Sequence, residues 1–386
     1  MRIFQVLPAS PNPAFPSSLW KSNLHDPLVA MRHDVVLYEE DVQSLFDFDP
    51  AAPSTCEPRA RFGERLTAAV EAAHRAGRLD LIFTYVSDSH LEPAVIEHLS
   101  RTVAPVVNFF CNNVHQFHLV RRTARCFDLC LVPEQGALGR YRRAGANPLY
   151  WPMAAHPEAY PAFEGPADLD VTFAGQRYGD RTTLMLALLE AGIGAHAFGQ
   201  GWESSLAFAS GAAEARGPLA AALRLGRDAL RGRQPWVALA DREAWRRLRA
   251  RHADALHGPV DDEAYVRLFS RSRINLGFLV LGDTHRTFRP LRQVRLREFE
   301  APMAGGFYLT GWLPELEGLY ALGREIEAYR SREELVDKCR FYLAHDEARE
   351  RVRRAGYERA HRDHTWTKRF EALFAYLDRR RLVRVV

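Results

Sequence analysis

The sequence predicts an α/β protein built from two open sheets of parallel strands. Three observations support this prediction. The chain has 386 residues, more than one hydrophobic core of ordinary size requires, so two domains are expected. Short apolar runs alternate with longer amphipathic stretches, which is the pattern of βαβ units. The stretch WPMAAHPEAYPAFEGPAD, residues 151–168, interrupts this alternation without a period of its own, which is typical of a linker.

We therefore expect an N-terminal domain over residues 1–155, a linker over 156–168 and a C-terminal domain over 169–366. Apolar runs in the first domain predict strands at residues 3–7, 34–38, 81–85, 106–110 and 129–132. The amphipathic stretches between them predict helices at residues 61–76, 93–100 and 136–144. The first of these places apolar residues at near-helical spacing, and Gly77 follows as a stop signal.

The same alternation continues in the second domain. It predicts strands at residues 170–174, 194–198, 274–278 and 307–309, and helices at 182–191, 297–303 and from 332 onward. Residues 206–256 break the rhythm, with ten arginines against five acidic residues. We expect a helical insertion here. It is either a solvated helical pair or a surface for an acceptor, a partner or anionic lipid.

Composition limits the function classes. The net charge of +4 and the pI near 8.8 come without a nucleic-acid reader motif, so nucleic acid is not an expected partner. The charge suits an acidic small ligand such as a diphosphate, or contact with an anionic membrane surface. No apolar run reaches the ~18–20 residues of a membrane span, and the N-terminus is interpreted as a buried strand. A cytoplasmic protein with reduced cysteines is expected.

The most informative stretch is RLREFEAPMAGGFYLT, residues 295–310. It predicts a short helix that is ended by two glycines and followed by a buried strand. On that helix the Glu300 carboxylate could accept hydrogen bonds from both ribose hydroxyls of a nucleotide. Arg295 and Arg297 lie beside it, and guanidinium groups match phosphate oxygens. The alternative is that the arginines are solvated and that Glu300 pairs with one of them.

The string R-x-F-E-x-P-x-x-G-G, from Arg297 to Gly306, resembles the signature of CgeB-like (spore-maturation-type) glycosyltransferases. These are GT-B glycosyltransferases near the family 4 group. The resemblance implies that Glu300, with Gly305 five residues later, contacts the donor ribose. The larger group also has a glutamate eight positions earlier, where this sequence has Arg292, so a role for that glutamate in contacting the sugar is not carried over.

The resemblance extends over about 200 residues in order. FAGQRYGDR, residues 173–181, resembles the start of the C-terminal domain, which implies that Gly175 lets the backbone approach the donor and that Arg177 or Arg181 faces its phosphates. Four further segments match the group, at residues 198–202, 264–278, 329–335 and 364–369. The resemblance implies a GT-B fold, with two Rossmann-like domains whose parallel sheets face each other across a cleft. It also implies no bound metal, and a last segment, 367–386, that returns to the first domain.

Acid/base candidates come from two predicted strand ends of the first domain: Asp88, His90 and His115. Each could instead stabilise its loop, and a retaining enzyme could use the donor phosphate as base. Asn112 and Asn113 stand where the family often has two aspartates, and an amide cannot serve as a base.

The sequence thus predicts a glycosyltransferase that uses a nucleotide-diphosphate sugar. Its acceptor could be a glycan, a protein, a lipid or a small molecule. A nucleotide-sugar epimerase and a non-catalytic binding protein on the same scaffold are the alternatives.

Overall fold

The computed structural model describes residues 1–8, 19–203 and 232–382. The chain divides into two compact units. Unit 1 consists of Met1–Ala159 and Arg362–Val386, and unit 2 is Tyr160–His361. Residues 160–168 contain no helix or strand. The chain therefore leaves unit 1 once and returns to it near the C-terminus.

Unit 1 is built on a sheet of six parallel strands in the order β2-β1-β3-β4-β5-β6. The strands are β1 (Arg2–Val6), β2 (Asp34–Leu37), β3 (Leu81–Thr84), β4 (Val106–Phe109), β5 (Leu129–Val132) and β6 (Pro148–Tyr150). Its helices are α1 (Asp26–Ala30), α2 (Cys56–Ala76), α3 (Pro93–Thr102), α4 (Asn113–Gln116) and α5 (Leu138–Arg143). The central strands are buried on both faces, as in sheets covered by helices on each side.

Unit 2 contains a second sheet of six parallel strands in the order β12-β11-β10-β7-β8-β9. The strands are β7 (Leu169–Ala174), β8 (Ala195–Phe198), β9 (Leu256–His257), β10 (Ser272–Gly277), β11 (Tyr308–Gly311) and β12 (Glu327–Tyr329). The helices are α6 (Arg181–Glu190), α7 (Pro235–Arg251), α8 (Asp262–Arg271), α9 (Arg297–Met303), α10 (Arg332–Ala344) and α11 (Asp346–Asp363), whose last residues belong to unit 1.

The last helix, α12 (Trp366–Arg379), belongs to unit 1. Trp366 is fully buried, and its Nε1 donates to Asn23 Oδ1 at 2.6 Å. The Trp151 ring lies 5.2 Å from the Trp366 ring, and Trp151 Nε1 donates to the Arg369 carbonyl at 2.8 Å. Aromatic packing and two indole hydrogen bonds therefore hold α12 in the core of unit 1.

The predicted α/β class with two parallel sheets is confirmed. Helix α2 begins five residues before the predicted start, and the predicted strand 307–309 lies instead at Tyr308–Gly311. Of the predicted helical insertion at 206–256, residues 206–231 lie outside the described residues. The remainder forms α7, a short turn and β9. Strands β6, β9 and β12 were not predicted.

Candidate donor site

The carboxyl ends of β7 and β10 place a cluster of arginines on unit 2. Gly175 directly follows β7, Arg181 is the first residue of α6, and Arg295 and Arg297 precede and begin α9. In open parallel sheets, ligands bind at the carboxyl ends of the strands. We call Arg181, Arg295 and Arg297 the arginine cluster.

Tyr178 joins two members of the arginine cluster. Its hydroxyl accepts hydrogen bonds from Arg181 Nη2 at 2.7 Å and from Arg295 Nη2 at 2.9 Å. The Arg181 guanidinium also lies 3.7 Å from the centre of the Tyr178 ring, and Nη1 donates to the Gln176 carbonyl. The loop between β7 and α6 therefore folds back so that an aromatic ring stacks on one guanidinium group.

Arg297 lies against Gly175. A Cβ atom at Gly175 would be 2.7 Å from Arg297 Nη2 and 2.9 Å from Phe173 Cζ, so any other residue here would force these side chains to move. Gly175 is in turn held in place, because its N donates to the Phe198 carbonyl and its own carbonyl accepts from Trp202 Nε1 at 2.8 Å. The glycine thus allows a guanidinium group to reach the end of β7.

The arginine cluster has unused hydrogen-bond donors. The Nε atoms of Arg181, Arg295 and Arg297 are buried without a hydrogen-bond partner, and within the described residues none of the three forms an ion pair. Burial lowers the pKa of Arg181, and the charges of Arg297 and Arg295 lower it further, against the opposing effect of Tyr178. Buried donors without an acceptor cost free energy. An anionic ligand with several acceptor oxygens would satisfy them.

The carboxylates of Glu300 and Glu298 partly offset the positive charge of Arg297. Burial would lower the pKa of Arg297, but Tyr265, Tyr308, Glu300 and Glu298 together raise it above its ordinary value. For Arg181, the carboxylate that opposes the lowering of the pKa is Asp180, and its effect is weaker than that of Tyr178. Among the described residues neither Arg181 nor Arg295 forms an ion pair with a carboxylate, so the cluster keeps a net positive charge.

The buried Glu298, which the sequence analysis did not single out, fixes the start of α9. Its Oε2 accepts from the Arg295 N at 2.6 Å, and its Oε1 accepts from the Tyr308 hydroxyl and from Thr310 Oγ1, both at 2.9 Å. Burial raises the pKa of Glu298, and the charge of Arg297 and these hydrogen bonds oppose that rise. Glu298 thereby ties Arg295 to β11. The sequence did carry a signal for Glu298, because an acidic residue in the first turn of a predicted helix is favoured by the helix dipole.

Glu300 is buried, with 3% of its surface exposed. Its Oε1 accepts from the Tyr160 hydroxyl at 2.6 Å and its Oε2 from the Tyr265 hydroxyl at 2.7 Å. Burial raises the pKa of Glu300, while the two tyrosines and Arg297 lower it. Each carboxylate oxygen can accept a further hydrogen bond. The ribose contact that the resemblance implies therefore stays a prediction, and the observed partners are the two tyrosines.

The other predicted donor-binding residues lie away from the cluster or have packing roles. Arg177 Nε donates to the Gly201 carbonyl at 2.7 Å, and its guanidinium stacks 4.1 Å from the centre of the Trp245 ring. Gly305 has a φ of +75° and ends α9. A Cβ atom at Gly306 would be 2.7 Å from Asn275 Nδ2. These two glycines let α9 end close against the sheet.

In unit 1, the predicted acid/base residues differ in their surroundings. The buried Asp88 carboxylate accepts three hydrogen bonds, from Arg122 N at 2.9 Å and from Thr123 N and Oγ1 at 2.9 and 2.6 Å. His90 is fully buried, and its ring bonds to Ser87 and to the Val42 carbonyl. Both side chains are therefore hydrogen-bonded within the local structure, and their acid/base role stays a prediction.

His115 differs from these two residues because its side chain is exposed, on α4. The residues just before His115 bind a buried carboxylate. Glu134 accepts hydrogen bonds from Asn112 N and Asn113 Nδ2, both at 2.7 Å. Asn113 Oδ1 in turn accepts from the Tyr141 hydroxyl at 2.6 Å. Glu134 and the two asparagines therefore form a bonded network at the ends of β4 and β5.

His90 gives a pH prediction. Burial lowers the pKa of His90 to about 4, so its ring stays neutral in the folded protein where the unfolded chain takes up a proton. As pH falls from about 6.5 to about 4, the free energy of unfolding should drop by about 3 kcal/mol on account of this residue. Carbon-13 NMR of the His90 ring should show a midpoint near pH 4. A midpoint near 6.5 would show that the ring is accessible to protons.

Over the described parts of the chain, no group of three or more His, Cys, Asp or Glu side chains is arranged to hold a metal ion. The helices within those parts include none whose length and hydropathy would fit a membrane span.

Comparison with known proteins gives three findings. A family model described as "Glycosyl transferase-like" matches residues 216–375. No curated protein matches the chain. Among solved structures, sucrose-phosphate synthase from Thermosynechococcus elongatus is similar over 98% of this chain and 99% of that one, with 13% identity and a TM-score of 0.59.

Two further solved structures are similar over the same extent. HepE of Anabaena, in complex with UDP-glucose, has 12% identity and a TM-score of 0.59, covering 98% of this chain and 99% of that one. AviGT4, a glycosyltransferase involved in avilamycin A biosynthesis, has 16% identity and a TM-score of 0.56, covering 99% and 98%. The protein is thus a two-sheet α/β protein with the GT-B fold. Much of unit 2 lies within the matched glycosyl transferase-like region.

Proposed function

We propose that the protein is a glycosyltransferase that takes a sugar from a nucleoside-diphosphate sugar held by unit 2. The observation that carries the proposal is the arginine cluster. Three buried Nε–H donors without acceptors meet at the carboxyl ends of two parallel strands, beside a glycine that leaves space for a guanidinium group. Guanidinium groups match the geometry of phosphate oxygens and form charge-assisted hydrogen bonds with them.

The chemistry of sugar transfer needs such a cluster. When the bond between the sugar and the diphosphate breaks, negative charge develops on the departing phosphate oxygen. Fixed cations in a site shielded from water stabilise that charge without reorganisation. We assign this role to Arg181 and Arg295, whose guanidinium groups both donate to the Tyr178 hydroxyl, and to Arg297 beside them. We propose that no bound metal takes part.

We propose UDP-sugars as the donor class, because HepE, whose fold this chain shares, binds UDP and UDP-glucose. A thermal-shift panel of UDP, GDP, ADP, CMP and dTDP with their sugars tests this directly. A ligand at a hundredfold excess over its Kd adds about 2.7 kcal/mol to the native state. In a domain of the size of unit 2, where 1 kcal/mol shifts the Tm by about 2–4 °C, that should raise the Tm by about 5 °C or more. The absence of a shift with every nucleotide would contradict the proposal.

The acceptor hydroxyl must lose a proton, and we propose that the donor phosphate takes it. Asp88 and His90 are committed to structural hydrogen bonds. The exposed His115 makes no side-chain hydrogen bond among the described residues that would orient it, whereas catalytic bases are usually held by a third group.

His115→Asn should therefore keep its kcat within about threefold of His118→Asn, a control at a second exposed histidine on the next turn. Loss of a general base costs roughly 10²–10⁴ in rate. A drop of that size in His115→Asn alone would assign the base role to His115 and an inverting course to the reaction.

An epimerase is the second candidate, because a putative UDP-N-acetylglucosamine 2-epimerase from Listeria monocytogenes shares the fold, with a TM-score of 0.55. An epimerase converts the donor without any acceptor. Incubation with the UDP-sugar alone, followed by proton NMR, separates the two activities. A new nucleotide sugar would indicate an epimerase, whereas a transferase forms product only when acceptor is present.

A further inference from the structure

Unit 2 carries a concentration of exposed apolar side chains. Six large hydrophobic side chains are exposed among the described residues, and three of them lie on α7 or on the loop beside its first turn. These are Trp236, Leu239 and Phe288, with 60%, 51% and 72% of their surfaces exposed. We call these three residues the apolar patch. Clustered apolar surface on a water-facing helix indicates an interaction site.

Hydrogen bonds hold the two parts of the patch together. The Gln234 N donates to the Arg286 carbonyl at 2.6 Å, and Gln234 Nε2 donates to the Thr287 carbonyl at 3.1 Å. Further along α7, Asp241 bonds to His285 Nε2 at 2.7 Å and accepts from Arg286 Nε at 3.1 Å. The segment that carries Phe288 is therefore fixed to the N-terminal half of α7, and the patch is a preformed surface.

Positive charge surrounds the apolar patch. Residues 232–251 and 282–292 contain nine arginines and no lysine, against the three acidic residues Asp241, Glu243 and Asp283. Arg242 and Arg289 are exposed, and neither joins an ion pair among the described residues. A surface that combines exposed Trp, Phe and Leu with unpaired arginines complements a negatively charged apolar boundary.

We propose that α7 and the adjoining loop dock on an anionic lipid bilayer. Trp236 and Phe288 would enter the boundary between headgroups and acyl chains, where aromatic rings are favoured. Arg242 and Arg289 would remain at the level of the lipid phosphates. Stable docking takes both an apolar and an electrostatic contribution, and this surface supplies the two side by side. The proposal does not depend on the proposed transferase activity.

Vesicle cosedimentation tests the proposal with the full chain. The wild-type protein should pellet with vesicles that contain phosphatidylglycerol and stay in solution with vesicles of phosphatidylcholine alone. Added salt should release it, because salt screens exposed charges. The double variant Trp236→Ser/Phe288→Ser should bind at least about tenfold more weakly, since it removes the two largest apolar contacts. Val29→Ser, at an exposed apolar residue of unit 1, is the matched control and should bind like wild type.

A second variant, Arg242→Gln/Arg289→Gln, keeps the apolar patch and changes only exposed residues, so its fold should be unaffected. It too should bind phosphatidylglycerol vesicles more weakly. The proposal is overturned if the wild type pellets with neither vesicle, or if both double variants bind like wild type. It is also overturned if Trp236→Ser/Phe288→Ser lowers the Tm by several degrees, since that would mean that other parts of the protein cover the patch.

Discussion

Replacing Arg181 with methionine should weaken UDP binding about a hundredfold while leaving the protein as stable as wild type. The guanidinium group would be lost from the centre of the arginine cluster, and two charge-assisted hydrogen bonds to phosphate are worth roughly 3 kcal/mol together. The same change relieves a buried charge that has no ion-pair partner among the described residues. Relief of that desolvation cost offsets the loss of the hydrogen bonds from Arg181 to the Gln176 carbonyl and the Tyr178 hydroxyl. Isothermal titration with UDP and thermal unfolding without ligand measure the two effects.

Arg177→Met is the matched control. Arg177 lies four residues before Arg181 and is half-buried, but it bonds to the Gly201 carbonyl and stacks on Trp245 outside the cluster. Its UDP affinity should stay within about threefold of wild type. Equal losses in the two variants would mean that the whole loop binds the nucleotide, and unchanged binding in Arg181→Met would remove the basis for the diphosphate site.

Glu300→Ala should lower the free energy of unfolding by about 3–5 kcal/mol. The change leaves the Tyr160 and Tyr265 hydroxyls without their acceptor, at about 1–3 kcal/mol for each buried group. It also removes one of the carboxylates that balance Arg297. In a domain of the size of unit 2, where 1 kcal/mol shifts the Tm by about 2–4 °C, the Tm should fall by about 10 °C. Thermal or urea unfolding monitored by circular dichroism gives the measurement.

Glu300→Gln separates the structural role of Glu300 from nucleotide binding. The amide keeps the shape of the side chain and one acceptor oxygen, so the stability should fall by only about 1 kcal/mol. A folded Glu300→Gln variant with about tenfold weaker UDP binding would establish the ribose contact that the resemblance implies. Unchanged UDP affinity would limit Glu300 to positioning the tyrosines and Arg297. An alanine variant as stable as wild type would contradict the observed hydrogen bonds.

The sequence predicted the central strands well because each is a run of buried apolar residues between turn signals. Strands β6, β9 and β12 escaped prediction for a physical reason. They contain two or three residues each, and all three lie at the edge of a sheet. Pro148 opens β6, where a missing N–H is tolerated only at an edge. Such short strands exist because a neighbouring strand pairs with them, and their own residues carry no periodic pattern.

For the candidate donor site, the sequence could indicate which residues are chemically suited to bind a diphosphate. It could not indicate which hydrogen-bond partners those residues have in the fold. The structure brings Gly175, Arg181, Arg295 and Arg297 close together, and their role in donor binding stays a prediction. Tyr178 was not singled out, because an isolated tyrosine carries no signal until the fold places its hydroxyl between two guanidinium groups.

The same limit applies to the acid/base candidates, whose catalytic role stays a prediction. Asp88 and His90 follow a strand, as catalytic residues often do, but their burial depends on loops distant in sequence. Thr123 binds Asp88, and the Val42 carbonyl binds His90. Only tertiary contacts distinguish a polar residue that anchors a loop from one that faces a ligand.

The division of unit 1 into two chain segments has a consequence for synthesis on the ribosome. Unit 2 is continuous from Tyr160 to His361, so all of its residues are made before α12. Unit 1 still lacks Trp366, the partner of Asn23, at that point. Domains usually mature in the order in which they are translated. Here the unit that is translated first must be completed last, and a nascent chain that stalls before Arg362 would leave the Trp151 side of its core uncovered.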